Sequence, residues 1–448
     1  MTKQKRRIQL SDHFTYKKIL RFTLPPIAMM VFTSIYGVVD GLFVSNFVGK
    51  SAFAAVNFMM PFLMMMSVFG FMFGAGGSAL VAKTMGEGDR ERANRLFTMF
   101  VVASIIFGAV ISVVAIIFLR PIASLMGAEG EMLDLAVKYG RIILIANVFF
   151  MLQVEFHTYC VTAEKPKMGL YVTLLAGITN MAFDALLMGV CHMGVEGAAL
   201  ATALSQVVGG GVPLIYFACK NSSLLRLVKF RFDGRAFLKA CTNGSSELMT
   251  NVSMSLVNML YNVQLMKYVG ENGVAAYGVL MYVNFIFVSM FIGYTIGISP
   301  IVGFHYGAAN HEELKSMLKK SLILIAMASA LMLGISQALA SPLSKIFVGY
   351  DKELCALTTR AFRIYTFSFL LCGFNVFGSA FFTALNNGLI SAIISFLRTL
   401  VFQILAVMLL PLLMDVDGIW LSIVVAEVLS VIVSAAFLFG KRKKYHYL

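Results

Sequence analysis

The second half of this chain is a diverged copy of the first. Thirteen residues recur at a constant offset of 221 positions. Val48-Gly49 and Ala54-Ala55 return as Val269-Gly270 and Ala275-Ala276, and Gly76, Ser78, Gly86 and Glu91 return as Gly297, Ser299, Gly307 and Glu312. Thr162-Ala163 returns as Thr383-Ala384, and Val195, Gly197 and Leu200 return as Val416, Gly418 and Leu421. One offset held through every part of both halves marks a duplicated structural unit, not a chance motif. Whatever one half folds into, the other half folds into as well.

The unit is membranous. Of 448 residues, 59% are hydrophobic and only 13% charged, far from the balance of a soluble domain. About 20 consecutive apolar residues are needed to cross the hydrocarbon core of a bilayer. Twelve such runs are present, at roughly 19–46, 53–83, 97–119, 135–160, 168–190, 195–218, 240–268, 275–307, 321–340, 357–384, 391–413 and 417–440. A soluble protein with an oversized core would need polar helix faces that these runs lack.

The net charge of +14 does not point to nucleic acid, because it sits between the runs. Most Lys and Arg lie at the N terminus (Lys3–Arg7, Lys17, Lys18, Arg21), after even-numbered runs, or at Lys441–Lys444. The positive-inside rule then puts both termini in the cytoplasm of a multi-pass protein of the cell inner (plasma) membrane. The basic start is not a signal peptide: the following run is too long, contains Asp40, and lacks a small-x-small cleavage site. Six scattered cysteines show neither a CxxC motif nor His partners at metal spacing, so they read as soft packing residues.

The basic segment 219–239 is the longest connector and divides the chain into an N-terminal lobe 1–218 and a C-terminal lobe 240–448. Each lobe has six runs, an even number, so both enter the membrane from the same side and are parallel repeats. The expected fold is all-α and polytopic, with twelve transmembrane helices in two six-helix lobes. The connectors 120–137 and 341–358 are amphipathic and read as helices on the outer surface. Glycines in GAGGSALVAKTMGEG and GISPIVGFHYG allow close helix approach, and Gly86 and Gly307 read as helix ends.

A carboxylate at the bilayer centre costs about 2.5–3.5 kcal/mol on insertion scales, so each one needs a reason. Counting from the expected run ends, Asp40, Asp184 and Thr202 all lie roughly 9–10 Å below the outer boundary at 1.5 Å per residue. Asn180 shares a helix face with Asp184. At the repeat offset Asp40 becomes Tyr261, Asn180 becomes Val401, Asp184 becomes Leu405 and Thr202 becomes Ile423. A structural role common to both lobes would not vanish so completely. Ion coupling is therefore expected in the N-terminal lobe, with a proton or sodium ion at Asp40, Asn180, Asp184 and Thr202.

Other polar residues leave alternatives open. Glu155, His157 and Gln153 in the fourth run are candidates for a substrate or proton cleft, although His157 is equally a hydrogen-bonded core residue. Glu247, at the repeat position of Pro26, either faces the cleft or lies wet at its cytoplasmic mouth. Arg398 and Glu427 read as a structural ion pair. Pro25-Pro26 either kinks the first helix or marks its start. The 39 Phe and 29 Met are mostly lipid-facing filler, with Met59-Met60, Met64–Met66 and Phe149-Phe150 as cleft candidates.

Pro25-Pro26, VDGLFVSNFVG, GAGGSALVAKTMGEGDRERA, and ITNMAFDALLMG followed by MGVEGAALATALSQ, in this order, resemble the multidrug and toxic compound extrusion (MATE) transporters. The pattern looks most like the DinF-type branch, and the resemblance covers essentially the whole chain. It implies two lobes forming a V, and multidrug efflux by alternating access against an inward proton or sodium flux. In similar proteins the positions matching Asp40, Asn180, Asp184 and Thr202 form the ion site, Tyr36 lies near it, and Pro26 bends the first helix. The expected substrates are lipophilic, mostly cationic small-molecule drugs. No cofactor and no nucleic acid are expected; membrane lipids are the surroundings and a monomer the expected state. Two alternatives are a flippase for a lipid-linked precursor, which a cationic cleft would favour, and a polytopic membrane enzyme. No HExxH or other catalytic motif supports an enzyme.

Overall fold

A computed structural model describes residues 8–447, so the basic start Lys3–Arg7 lies outside the described residues. Among these residues every regular element is helical. Twelve helical segments follow one another. The first six are Tyr16–Phe47, Lys50–Met66 continued by Val68–Gly86, Arg90–Leu125, Gly130–Thr162, Pro166–Val190 and Gly194–Ala218. The second six are Gly234–Tyr268, Glu271–Gly307, His311–Val348, Lys352–Ala384, Gly388–Leu409 and Pro411–Tyr445. They are called spans one to twelve below.

Eleven helices among the described residues are long and apolar enough to cross a membrane. Span seven is not one of them, because Asn243, Ser246, Glu247, Thr250, Asn251, Ser253 and Asn258 dilute its apolar residues. The segments 120–137 and 341–358 are not separate surface helices. Span three runs on to Leu125, span four starts at Gly130, span nine runs to Val348 and span ten starts at Lys352. Each simply continues a spanning helix past the membrane, as 36 residues must when about 20 suffice.

The duplication is visible in how the halves meet. Gly86 and Gly307 end spans two and eight, and the two helices cross there. A Cβ on Gly86 would lie 2.0 Å from the carbonyl oxygen of Phe304, and one on Gly307 would lie 2.0 Å from that of Lys83. Phe304 is the repeat counterpart of Lys83, so the contact is reciprocal about a pseudo-two-fold axis. The same holds further along: Gly76 abuts Gly244, and Gly297 abuts Thr23, the counterpart of Gly244. At each contact at least one partner has no side chain, which lets the four helix backbones approach so closely.

After each crossing the chain turns identically. Asp89 accepts a hydrogen bond from the Arg92 N–H at 2.8 Å, and its counterpart Asn310 accepts one from the Glu313 N–H at 3.1 Å. Both side chains cap a long helix by satisfying an orphan amide. The residue before the cap has a left-handed backbone in both, Gly88 at φ 89° and Ala309 at φ 53°.

On the same end of the bundle the segment before span one straps the halves together. Leu10 and Phe14 are fully buried. The Leu10 N–H donates to Glu164 Oε1 at 2.6 Å, in the turn between spans four and five. Phe14 N–H donates to Glu313 Oε1 at 2.9 Å, and His13 Nδ1 meets Oε2 of the same residue at 2.7 Å.

Candidate ion-coupling site

Spans one, four, five and six enclose a polar pocket in an otherwise apolar half. Asp40 comes from span one, Asn180 and Asp184 from span five, and Thr202 from span six. Asp40, Asn180 and Asp184 are all buried, the last at 0% exposure, and Thr202 is half-buried. The Asp40 carboxyl lies within hydrogen-bonding reach of Asp184 and Asn180. Asp40, Asp184 and Asn180 are thus brought together, and Tyr139 stands between them and Thr202.

Their oxygens lack donors. Asp40 Oδ1, Asn180 Oδ1, both carboxylate oxygens of Asp184 and Thr202 Oγ1 are buried without a well-aligned N–H or O–H partner. An unsatisfied buried acceptor costs about 1–3 kcal/mol, and more when charged. Converging acceptors without donors suit a proton or a small hard cation, whose preferred ligands are oxygens. Among the described residues no group of three or more His, Cys, Asp or Glu could hold a metal ion; the pocket instead offers two carboxylates, an amide oxygen and a hydroxyl.

Local structure supports the pocket. Span five makes a π-helical turn over Ala185–Val190, starting directly after Asp184. Such turns loosen the backbone ladder and recur at functional sites. One turn before Asn180, Gly177 leaves room for the rings of Phe32 and Tyr36, which a Cβ would approach to 2.5 Å and 3.2 Å. Tyr36 in turn stands beside Asp40 with its hydroxyl toward Gln153. Pro25 and Pro26 lie inside span one, which begins at Tyr16, so they do not mark the helix start. Neither supplies an N–H to the helix ladder, and the Pro26 carbonyl is close to Gly293 of span eight.

The remaining candidates divide. Gln153 joins the pocket through Tyr36, and its side chain fills the space over Gly209. Glu155 is fully buried with its carboxyl toward Ser104, and its backbone lies against the π-helical turn at Gly74. His157 is hydrogen-bonded through Nε2 to Thr173 Oγ1 at 3.3 Å. Glu247 is half-buried, and among the described residues its carboxylate has no ion pair; its carbonyl accepts from Asn251 at 2.8 Å.

Two members were not foreseen. Tyr139 of span four is buried, its hydroxyl aimed at Thr202 and its ring near both acids. Gln206, one turn beyond Thr202, carries another donorless buried oxygen, Oε1. Period-four spacing from Thr202 was the available signal for Gln206. Tyr139 had none, since it sits at the very start of the fourth run, two residues past the stretch that reads as surface connector.

In the second half the counterparts Tyr261 and Ile423 are buried and Leu405 is half-exposed to the surroundings, with no carboxylate among them. A different polar group lies nearby. Arg398 Nη2 and Nε meet Glu427 Oε1 at 2.8 Å and 3.0 Å, and Asn375 Nδ2 donates to Oε2 at 2.6 Å. The expected ion pair is therefore present.

A twice-repeated bundle of membrane-spanning helices, closed by pseudo-symmetric glycine contacts and holding two neighbouring buried acids without a basic partner in one half, defines a secondary-transporter fold. The MatE family model matches this chain twice, over residues 25–186 and 248–409, once in each repeat. The chain belongs to the MatE family. It is similar to the multidrug export protein MepA of Staphylococcus haemolyticus (strain JCSC1435), at 23% identity over 96% of this chain and 94% of that one. Its fold is that of a solved MATE in complex with MaL6, with a TM-score of 0.91, 23% identity and 98% of both chains covered. The outward-facing structure of a multidrug resistance MATE transporter of the MOP superfamily gives the same TM-score of 0.91 at 23% identity, again over 98% of both chains.

Proposed function

We propose that this protein is a secondary active antiporter that exports lipophilic, mostly cationic compounds in exchange for protons or sodium. Family membership and full-length similarity to multidrug export proteins support the efflux reading. No catalytic motif in the sequence competes with it, and Arg398 is already paired with Glu427, which argues against the anionic cargo of a lipid-linked precursor flippase.

The observation that carries the coupling assignment is the convergence of donorless oxygens from Asp40, Asn180, Asp184 and Thr202 in the N-terminal half alone. Two carboxylates this close in a dry interior require a proton or cation between them. Loading the site draws spans one, five and six together; releasing it lets them part. Pro26 supplies the weak point in span one at which that change becomes a bend, and Tyr36 carries the movement from Asp40 to Gln153. Glu247, on the polar face of span seven, attracts cationic substrate into the cleft, and Glu155 and His157 serve the N-terminal half as buried proton-accepting groups. The coupling half is residues 1–218, the half without a coupling site is 240–448, and 219–239 joins them on the cytoplasmic side, where both termini lie.

Transport by the purified protein in proteoliposomes, with proton and sodium gradients imposed separately, tests this reading. Uphill movement of a lipophilic cation is expected with one of the two gradients. Equal transport with neither gradient, or export of anions as readily as of size-matched cations, contradicts it.

A further inference from the structure

The Arg398–Glu427 pair is not placed at random in the C-terminal half. At the repeat offset Arg398 corresponds to Gly177 and Glu427 to Gln206. Gly177 lies one turn before Asn180 on span five, and Gln206 one turn after Thr202 on span six. Because these spans run in opposite directions, both steps lead the same way along the membrane normal, by roughly 4.5 Å and 6 Å. Arg398 and Glu427 therefore face each other across spans eleven and twelve, one turn from where a coupling site would be had the second half kept one.

The surroundings are those of a filled cation site. Arg398 lies within a π-helical turn, Leu397–Val401, as Asp184 adjoins one in span five. Its side chain is 16% exposed and that of Glu427 3%. Both Glu427 oxygens are satisfied, one by Arg398 alone and the other by Arg398 and Asn375, whose Oδ1 accepts from Ser434 at 3.2 Å. Arg398 Nη2 also contacts Cys372 Sγ at 3.2 Å. The other titratable groups facing Glu427 are Tyr261 and Tyr365. The contrast with the N-terminal half is sharp: there Asp40 Oδ1 and both Asp184 oxygens lack a well-aligned donor and no basic side chain pairs with either acid, whereas here both oxygens of the acid are satisfied.

We propose that Arg398 is a tethered cation filling what is otherwise a proton- or monovalent-cation site at Glu427, so that the C-terminal half is permanently loaded. This rests on the assignment of coupling to Asp40 and Asp184, and it explains why one repeat exchanges ions and the other does not. A mobile cation is replaced by a covalently attached guanidinium, at no cost in released ions per cycle. The paired charges stay matched through the whole transport cycle, and the half moves as a rigid body against the changing one.

The test is chemical rescue on the full-length protein in lipid nanodiscs. Arg398→Ala leaves Glu427 without its cation, so free guanidinium at sub-denaturing concentration should raise the thermal midpoint of this variant. The wild type and the double variant Arg398→Ala/Glu427→Gln should not respond. In equilibrium binding with radiolabelled sodium, and in proton uptake followed with a pH-indicator dye, Arg398→Ala should take up one cation more than the wild type. Arg398→Lys should match the wild type in both. Absence of rescue, including an Arg398→Ala protein that guanidinium does not recover at all, or an unchanged cation count, overturns the proposal. Asp40→Asn run in parallel reports on the N-terminal site by itself, so failure there is read separately.

Discussion

Gly86 and Gly307 occupy the same position of the two repeats and pack each helix end against the other, with a carbonyl oxygen 2.0 Å from where each missing Cβ would stand. The obstacle on either side is backbone, which cannot swing aside. Replacing either glycine by valine should separate spans two and eight and cost at least about 2 kcal/mol, in the range of overpacked cores. The double substitution should cost less than the sum, because both members act on one contact. Thermal unfolding of the single and double variants in detergent measures this, and strict additivity would contradict it.

The turn between spans eight and nine retains strain that its counterpart has shed. Ala309 sits at φ 53°, where the first repeat has Gly88. A left-handed non-glycine residue costs about 1–2 kcal/mol. Ala309→Gly should therefore stabilise the protein by about 1 kcal/mol once the added freedom of the unfolded chain is counted. A rise in thermal midpoint is expected, with transport unchanged; a fall would show that the turn is held by something other than backbone conformation.

Glu164 tests the strap across the two halves. Burial pushes its carboxyl above the ordinary glutamate range, with Asp12 acting in the same sense, although the Leu10 N–H, Arg90 and Lys165 pull the other way. An acid whose folded value is raised contributes stability fully present below its unfolded value and lost as the pH rises through the folded one. Stability should thus decline as the pH climbs through and above the ordinary glutamate range. Glu164→Gln, which keeps an acceptor for Leu10 without the charge, should flatten that decline. An identical pH profile for the variant and the wild type would contradict the assignment.

Legibility from sequence followed the physics of each feature. The repeat and the apolar runs are long-range patterns, so the two-half helical fold could be read directly. Asp40, Asp184 and Thr202 could be placed on one level because depth in a helix is a matter of counting. The direction of a side chain is not, which is why Glu155 reads like a neighbour of Asp40 and in fact faces Ser104. Tyr139 escaped because its span extends beyond the membrane, and the boundary was drawn almost on top of it. Span seven looked apolar because its Leu, Met and Val are interspersed with small polar residues that helix packing absorbs, as Asn243 does by donating to the Thr383 carbonyl at 2.9 Å within its own half and to the Gly76 carbonyl of the other half at 3.4 Å.

The halves should respond differently to matched substitutions. Asn180→Ala, Asp184→Asn and Thr202→Val remove oxygens from the proposed site and should shift the proton or sodium dependence of transport. Tyr261→Phe and Leu405→Ala, at the positions corresponding to Asp40 and Asp184, should leave that dependence unchanged. Equal sensitivity in both halves would assign the polar residues a shared structural role. The assay is the half-maximal ion concentration for dye efflux from proteoliposomes.

The central claim is that Asp40 takes up and releases the driving ion. Asp40→Asn preserves shape and hydrogen-bonding capacity but removes the charge, so the variant should fold, insert and still bind a lipophilic cation. Its gradient-driven efflux from proteoliposomes should fall to the level of empty vesicles with either proton or sodium gradients. Full ion-driven efflux by Asp40→Asn would contradict the account.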